Sequence, residues 1–268
     1  FKQLSEAERI YGAKPPRPDD TKARAYTKHF LGVAAKNWRK TGDVARGNVN
    51  EAYEYLSKAA EIVKDDPKQF LIPVTLAEIL SYRSDQKKAA ADAVDEIIRR
   101  FNDIGKKEQL DSNQHSLFVR TLLLKGNLEM TERRFKQAVD SYADALKKDD
   151  KNAYAKLSLL HAKKLNGAKV DREEWKNALS LLESSGATKK RETVTKVIAL
   201  VWAVIAAHEG KDESSEERYL KDLESIGTTL SRITHREPLF FSPISKDIEE
   251  FTTLKAHLGQ YLGTDAIS

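Results

Sequence analysis

The stretch 120-RTLLLKGNLEMTERRFKQAVDSYADALKKDDKN-152 decides the fold of this chain. Its apolar residues recur at intervals of three and four on both sides of Thr131, which is the spacing of residues on one face of an α-helix. Thr131 and the polar residues after it favour a turn, and the sequence DDKN at 149–152 favours a helix end. The stretch therefore predicts two amphipathic helices joined by a tight connection.

Four positions of this hairpin resemble the tetratricopeptide repeat (TPR), a helical motif of about 34 residues. They are the small Gly126 in the first helix and Ala138, Tyr142 and Ala145 in the second. In such a motif, small side chains let two helices approach closely, and the aromatic ring fills the gap where the next hairpin packs. The proline that usually ends a repeat is replaced here by Asp150.

The flanking sequence repeats the helical pattern with less regular signature residues. We expect hairpins built from residues 21–41 and a helix starting at 50, from 70–82 and 86–101, from 153–165 and a helix starting at 171, and from 193–208 and 214–225. Signature offsets recur at Leu80, Ser81, Ala93 and Ile97, and again at Ala203, Ser215 and Tyr219. From Ser158 to Ala178 the spacing is longer, so that copy carries an extended connection.

The fold class expected from this resemblance is all-α, a right-handed α-α superhelix (a TPR-like solenoid) of about five hairpins with a C-terminal capping helix. Residues 1–18 are predicted to form a short helix and a proline-rich spacer. The repeats are expected over 19–229, with the best-formed copy at 119–152. Residues 230–268 are expected to form a linker and an amphipathic capping helix at about 245–262, which would cover the last apolar face.

Composition agrees with helices throughout. The chain has 268 residues with only 7 prolines, and its 12 glycines are scattered; alanine, leucine, lysine and glutamate are abundant, which favours helix over strand. The 46 basic and 41 acidic residues are interleaved and give a net charge of +5. This pattern is typical of solvated helix faces, and no dense basic run with aromatics points to single-stranded nucleic acid.

The sequence does not determine the cellular compartment of the protein. The chain has no cysteine, which excludes disulfides and thiolate chemistry but is compatible with both cytoplasm and an oxidising compartment. The longest apolar run, 197–207, is too short to span a bilayer, so we expect a soluble protein, cytoplasmic or periplasmic or secreted after processing. Because the chain begins at Phe1 and not at Met, we interpret it as a processed protein or as a fragment of a longer one.

No pattern in the sequence points to catalysis. The six histidines lie far apart without metal-ligand spacing, no glycine-rich phosphate loop occurs, and no serine, histidine and aspartate lie in the context of a nucleophile elbow. The carboxylates lie on polar helix faces, where solvation explains them. We therefore predict no enzymatic activity, no metal site and no cofactor.

Binding is what remains, because the first helices of stacked hairpins line a concave groove suited to a peptide or a partner helix. The residues expected to contact a partner there are Arg120, Leu123, Asn127, Met130, Tyr154, His161, Lys164 and Lys196. In chaperone-binding members of the TPR family, an asparagine after the signature glycine helps to clamp a terminal carboxylate, as Asn127 could, but the other clamp positions are not met. The alternative is that several of these side chains only pack helix against helix.

The sequence thus predicts a non-catalytic scaffold or adaptor that binds a protein or peptide partner. A first alternative is a regulatory or substrate-recruiting domain of a larger enzyme or signalling protein. A second is an RNA-binding helical array, which would bind in a salt-dependent manner. The identity of the partner and the oligomeric state are not specified by these patterns.

Overall fold

The computed structural model describes residues 18–37, 49–189 and 193–226, and all regular structure within these ranges is helical. Ten α-helices follow one another in these ranges: α1 (Pro18–Asn37), α2 (Val49–Ile62), α3 (Leu71–Ser81), α4 (Lys87–Gly105), α5 (Ser112–Thr131), α6 (Phe135–Lys148), α7 (Ala153–Leu165), α8 (Arg172–Ser184), α9 (Thr193–Gly210) and α10 (Glu213–Ile226). Short 3-10 turns occur at Ser84–Gln86 and Ala187–Lys189. The all-α prediction is confirmed for these ranges. The predicted N-terminal helix and the predicted C-terminal capping helix lie outside the described residues.

Helix ends follow local capping chemistry. At the start of α7, the side chain of Asn152 accepts a hydrogen bond from the backbone N–H of Ala155 at 3.0 Å, which satisfies one of the free donors of the first turn. At the end of α7, Gly167 adopts a φ of 83°, and the N–H groups of Gly167 and Ala168 bond back to the carbonyls of Lys164 and Lys163. Such a left-handed closure favours glycine. The predicted bounds of α7, 153–165, are confirmed.

The bounds of two helices differ slightly from the sequence prediction. The helix expected at 86–101 continues as α4 to Gly105, and Arg99 forms an ion pair with Asp103 one turn later, at 3.0 Å, which adds to the stability of that turn. The helix expected to start at 171 begins at Arg172 as α8, and the side chain of Asp171 makes no capping hydrogen bond.

The chain divides into two compact units, residues 1–121 and 122–268, and the division falls within α5. In the first unit, α2 packs on α1 and on α3, and α3 packs on α4. Its core contains three stacked phenylalanine rings: Phe70 lies 3.7 Å from Phe101, centroid to centroid, and Phe101 lies 4.9 Å from Phe118. On α4, Ala90 and Val94 are buried, whereas the expected signature residue Ala93 is only half-buried. The buried face of α4 therefore begins one turn earlier, at Ala90.

In the second unit, each helix packs on the next one in the chain, from α6 to α10. The helix α9 is the most deeply buried element, because all nine residues from 199 to 207 are at most 3% exposed. Trp175 and Leu182 of α8 and Tyr219 of α10 belong to the same core. The helix α9 is therefore buried on more than one side. No helix of the described ranges combines the length and the hydropathy needed to cross a bilayer.

Candidate functional site: the central hairpin

The centre of the predicted repeat is a close contact between Gly126 of α5 and Tyr142 of α6. A Cβ atom built on Gly126 would lie 2.7 Å from both Cδ1 and Cζ of the Tyr142 ring, which is shorter than carbon atoms approach one another in proteins. Only glycine therefore fits here while the ring keeps its place. The ring fills the space above Gly126 within its own hairpin and also belongs to a cluster with Leu159 and Ala162 of α7, so it joins one hairpin to the next.

A polar network holds the Tyr142 ring in position. The Tyr142 hydroxyl donates a hydrogen bond to Oδ1 of Asn127 at 2.7 Å. Burial raises the pKa of Tyr142 strongly, and the nearby carboxylate of Glu129 adds to the rise, whereas a hydrogen bond with Ser158 opposes it. The hydroxyl is therefore neutral at physiological pH and acts as a hydrogen-bonding group.

Glu129 contributes a buried carboxylate to the same hairpin. It is 5% exposed, and its Oε2 accepts a hydrogen bond from Oγ of Ser141 at 2.6 Å. A buried carboxylate is tolerated only where polar partners replace water. The hairpin α5–α6 is thus connected by polar contacts as well as by the glycine contact.

Asn127, one of the predicted groove contacts, has its side-chain oxygen engaged with Tyr142. Its neighbour Leu123 is half-buried and packs against the same cluster as Met130, which is 4% exposed. These contacts assign a packing role to all three side chains. Leu123 and Asn127 keep part of their surface open to solvent.

On α7, the predicted contacts point toward α9. His161 is 2% exposed and lies edge-on to Trp202 with ring centroids 5.7 Å apart. Lys164 Nζ lies 3.1 Å from Oε1 of Glu209, and its side chain is 30% exposed. The structure therefore brings α7 and α9 together through two residues that the sequence had assigned to the groove.

The remaining predicted contacts lie at separate places. Tyr154 is half-buried on α7 and packs against the core of the second unit; burial raises the pKa of its hydroxyl. Lys196 is half-buried near the start of α9. Arg120 belongs to the first unit, where its guanidinium makes two hydrogen bonds of 2.5 Å to the carboxylate of Glu78 on α3.

Sequence reasoning missed the partners of these side chains. Glu78, Glu129 and Ser141 were not singled out, because nothing in a helix sequence distinguishes a carboxylate that faces another helix from one that faces water. The only available signal was position: Glu129 follows the apolar Leu128 and precedes Met130, so it interrupts an apolar stretch. A polar residue at such a place indicates a buried hydrogen bond.

The described ranges contain no group of three or more histidine or carboxylate residues that could hold a metal ion. The polar contacts of the hairpin join side chains that are mostly buried, and their chemistry is that of structural hydrogen bonds. No family model matches the chain, and comparison with curated proteins gives no significant match either.

Proposed function

We propose that this chain is a non-catalytic scaffold of TPR-like hairpins, coiled as a right-handed superhelix, that holds a protein or peptide partner. The observation that carries the proposal is the contact between Gly126 and Tyr142, because it matches the close helix approach on which the TPR hairpin depends. Arrays of such hairpins offer an extended surface made by their first helices, and binding is the common use of that surface.

Within the second unit, five of the predicted contact residues keep accessible surface: Leu123, Asn127, Tyr154, Lys164 and Lys196 are each half-buried. They lie on α5, α7 and α9, the first helices of successive hairpins. The packing of Met130 against Leu159 and Ala162 joins α5 to α7, and the pair of Lys164 with Glu209 joins α7 to α9. These contacts support a continuous row of first helices, which the proposed groove requires.

Site-specific photo-crosslinking tests the proposal. A benzophenone side chain at Lys196, on a first helix, is expected to capture a discrete partner from extract of the source cells. The matched position is Lys136, which is exposed on α6, a second helix. Capture of the same species with equal yield at Lys136, or no capture at Lys196, would contradict the proposed surface.

Charge reversal then measures the contribution of Lys196 to the free energy of binding. With the captured partner purified, Lys196→Glu is expected to weaken binding about tenfold, which is the loss of about 1.4 kcal/mol expected when a contact residue that contributes strongly to binding has its charge reversed. Lys136→Glu changes the net charge of the chain equally and is expected to leave the affinity unchanged. Asn127→Ala is a poor probe, since it removes the acceptor of the Tyr142 hydroxyl and perturbs the hairpin itself.

A further inference from the structure

His29 is a buried titratable group in the first unit that the proposed function does not use. It lies on α1, is 4% exposed, and its Nδ1 has no hydrogen-bond partner among the described residues. Its ring contacts the ring of Phe30 edge-on at 5.4 Å. A neutral imidazole is compatible with such a site, whereas an imidazolium would need a solvating partner for each of its two N–H groups.

The charged group that acts on His29 is the guanidinium of Arg120, from α5. Glu78, from α3, binds that guanidinium through both of its oxygens, so this carboxylate is already engaged. The charge of Arg120 therefore opposes a further positive charge on His29.

Apolar side chains of α2 and α3 pack against α1. Those that share buried clusters with α1 are Ala52, Leu56, Ala59, Ile72 and Ile79, and none of these side chains can accept a hydrogen bond from an imidazolium. Of the charged side chains of α2, Glu54, Lys58 and Glu61 are exposed to solvent and Glu51 is half-buried. The ion pair of Lys22 with Asp66 and the hydrogen bond from the Tyr26 hydroxyl to Gln69 lie about two turns and one turn before His29 on α1.

We propose that α1 is an acid-sensitive element of the first unit: protonation of His29 adds a positive charge and a buried N–H that has no acceptor among the described residues, and this loosens the packing of α1 on α2 and α3. The same contacts that make the neutral ring acceptable make the charged ring unfavourable. A chain that meets mild acid thus opens first at α1, which would uncover the apolar residues that α1 covers on α2 and α3.

The direction of the pH effect follows from linkage. Burial, and then the charge of Arg120, lower the pKa of His29 below its ordinary value of 6.5. The open form, in which α1 has separated from α2 and α3, therefore binds a proton more readily than the closed form, in which α1 is packed on them. Closure of α1 is fully favoured above about pH 6.5 and weakens as the pH falls from there toward the lowered pKa of the closed form, by up to about tenfold per pH unit.

Hydrogen–deuterium exchange of the whole chain at about pH 7.5 and about pH 5.5, with correction for the intrinsic rates, tests this directly. Peptides from α1 are expected to lose protection at the lower pH, while peptides from α9 serve as the reference. In His29→Gln, the α1 peptides should show no such loss. In the matched control His115→Gln, which changes a half-buried histidine of α5, the full loss should remain.

A second variant covers the case in which His29→Gln does not fold. Arg120→Gln keeps the imidazole and removes the opposing charge, so its α1 peptides should lose less protection than the wild-type chain does. Three results would overturn the proposal: equal protection of wild-type α1 at both pH values, an unchanged pH response in His29→Gln, or an unreduced response in Arg120→Gln.

Discussion

At the scale of single residues, the contact between Gly126 and Tyr142 makes one position intolerant of even a methyl group. Gly126→Ala would place its Cβ 2.7 Å from two atoms of a ring that is held by burial and by its hydrogen bond to Asn127. We expect Gly126→Ala to lower the free energy of unfolding by about 1–3 kcal/mol through this overpacking. Urea denaturation followed by circular dichroism measures it.

The matched control is Gly105→Ala at the end of α4. A Cβ added there meets no atom within 4 Å, and the substitution restricts the unfolded chain, so a gain of about 0.4–1 kcal/mol is expected. A loss of stability in Gly105→Ala as large as in Gly126→Ala would refute the steric explanation, because an added Cβ meets no atom at Gly105 and alanine has the higher helix propensity.

The buried pair of Glu129 and Ser141 leads to a second prediction. Ser141→Ala removes a hydrogen bond to a carboxylate that is 5% exposed, and we expect a loss of about 1–3 kcal/mol in unfolding free energy. The comparison is Ser184→Ala on α8, where the hydroxyl is exposed and bonds to the carbonyl of Leu181 in its own helix. That change should stay within about 0.5 kcal/mol.

At the scale of elements, the connection between α2 and α3 depends on one side chain of α4. Arg100 Nη2 donates to the carbonyls of Asp66, Pro67 and Gln69 at 3.0, 3.0 and 3.3 Å, and its guanidinium lies 5.1 Å from the centroid of the Phe70 ring. A planar guanidinium can combine these contacts, whereas an ammonium group on a flexible stem cannot.

Arg100→Lys is therefore expected to lower the unfolding free energy by about 1–2 kcal/mol, since the lysine Nζ ends one bond short of the position of Nη2 and the three carbonyls lose their hydrogen bonds. The neighbouring Arg99 is 62% exposed in its side chain and pairs with Glu96 and Asp103; Arg99→Lys should cost less than about 0.5 kcal/mol. Denaturation of both variants under one buffer condition compares them. Equal effects would mean that the connection is not held by Arg100.

The helices themselves were largely predictable, because their signals are local. The apolar spacing and the capping residues Asn152 and Gly167 define α7 without reference to the rest of the chain. The end of α4 was missed because Asn102 and Asp103 favour turns in isolation, although the i,i+4 spacing of Arg99 and Asp103 is a local signal for a further helical turn.

The candidate site was less predictable than the helices. The resemblance to the TPR singled out Gly126 and Tyr142 and placed the ring toward the next hairpin, whereas their contact with each other within one hairpin is seen only in the structure. It could not tell that Met130 and His161 are covered by neighbouring helices, because the burial of one helix depends on which others pack on it. The choice between groove contact and packing therefore requires the tertiary structure.

At the scale of the whole molecule, the two compact units predict that a core change acts mainly within its own unit. Phe101 is fully buried between Phe70 and Phe118 in the first unit, and Phe101→Ala is expected to cost about 3–5 kcal/mol. Exchange of backbone amides should therefore accelerate in α3 and α4 and change much less in α9 and α10.

A variant of the other unit completes that experiment. Trp175→Ala removes a side chain that is 1% exposed in the core of the second unit, and it should accelerate exchange in α8 and α9 with a smaller effect on α3. If either change accelerates exchange equally in all helices, the chain unfolds as one cooperative body despite its division into units.

The all-round burial of α9 also affects the order of events during synthesis. Nine consecutive residues, 199–207, have no face suited to water, and part of their cover comes from α10, which is translated later. A nascent chain in which α9 has left the ribosome but α10 has not thus exposes an apolar segment that is prone to aggregate. We expect ribosome-bound chains of this length to be bound by chaperones more strongly than chains that end before α9 or after α10.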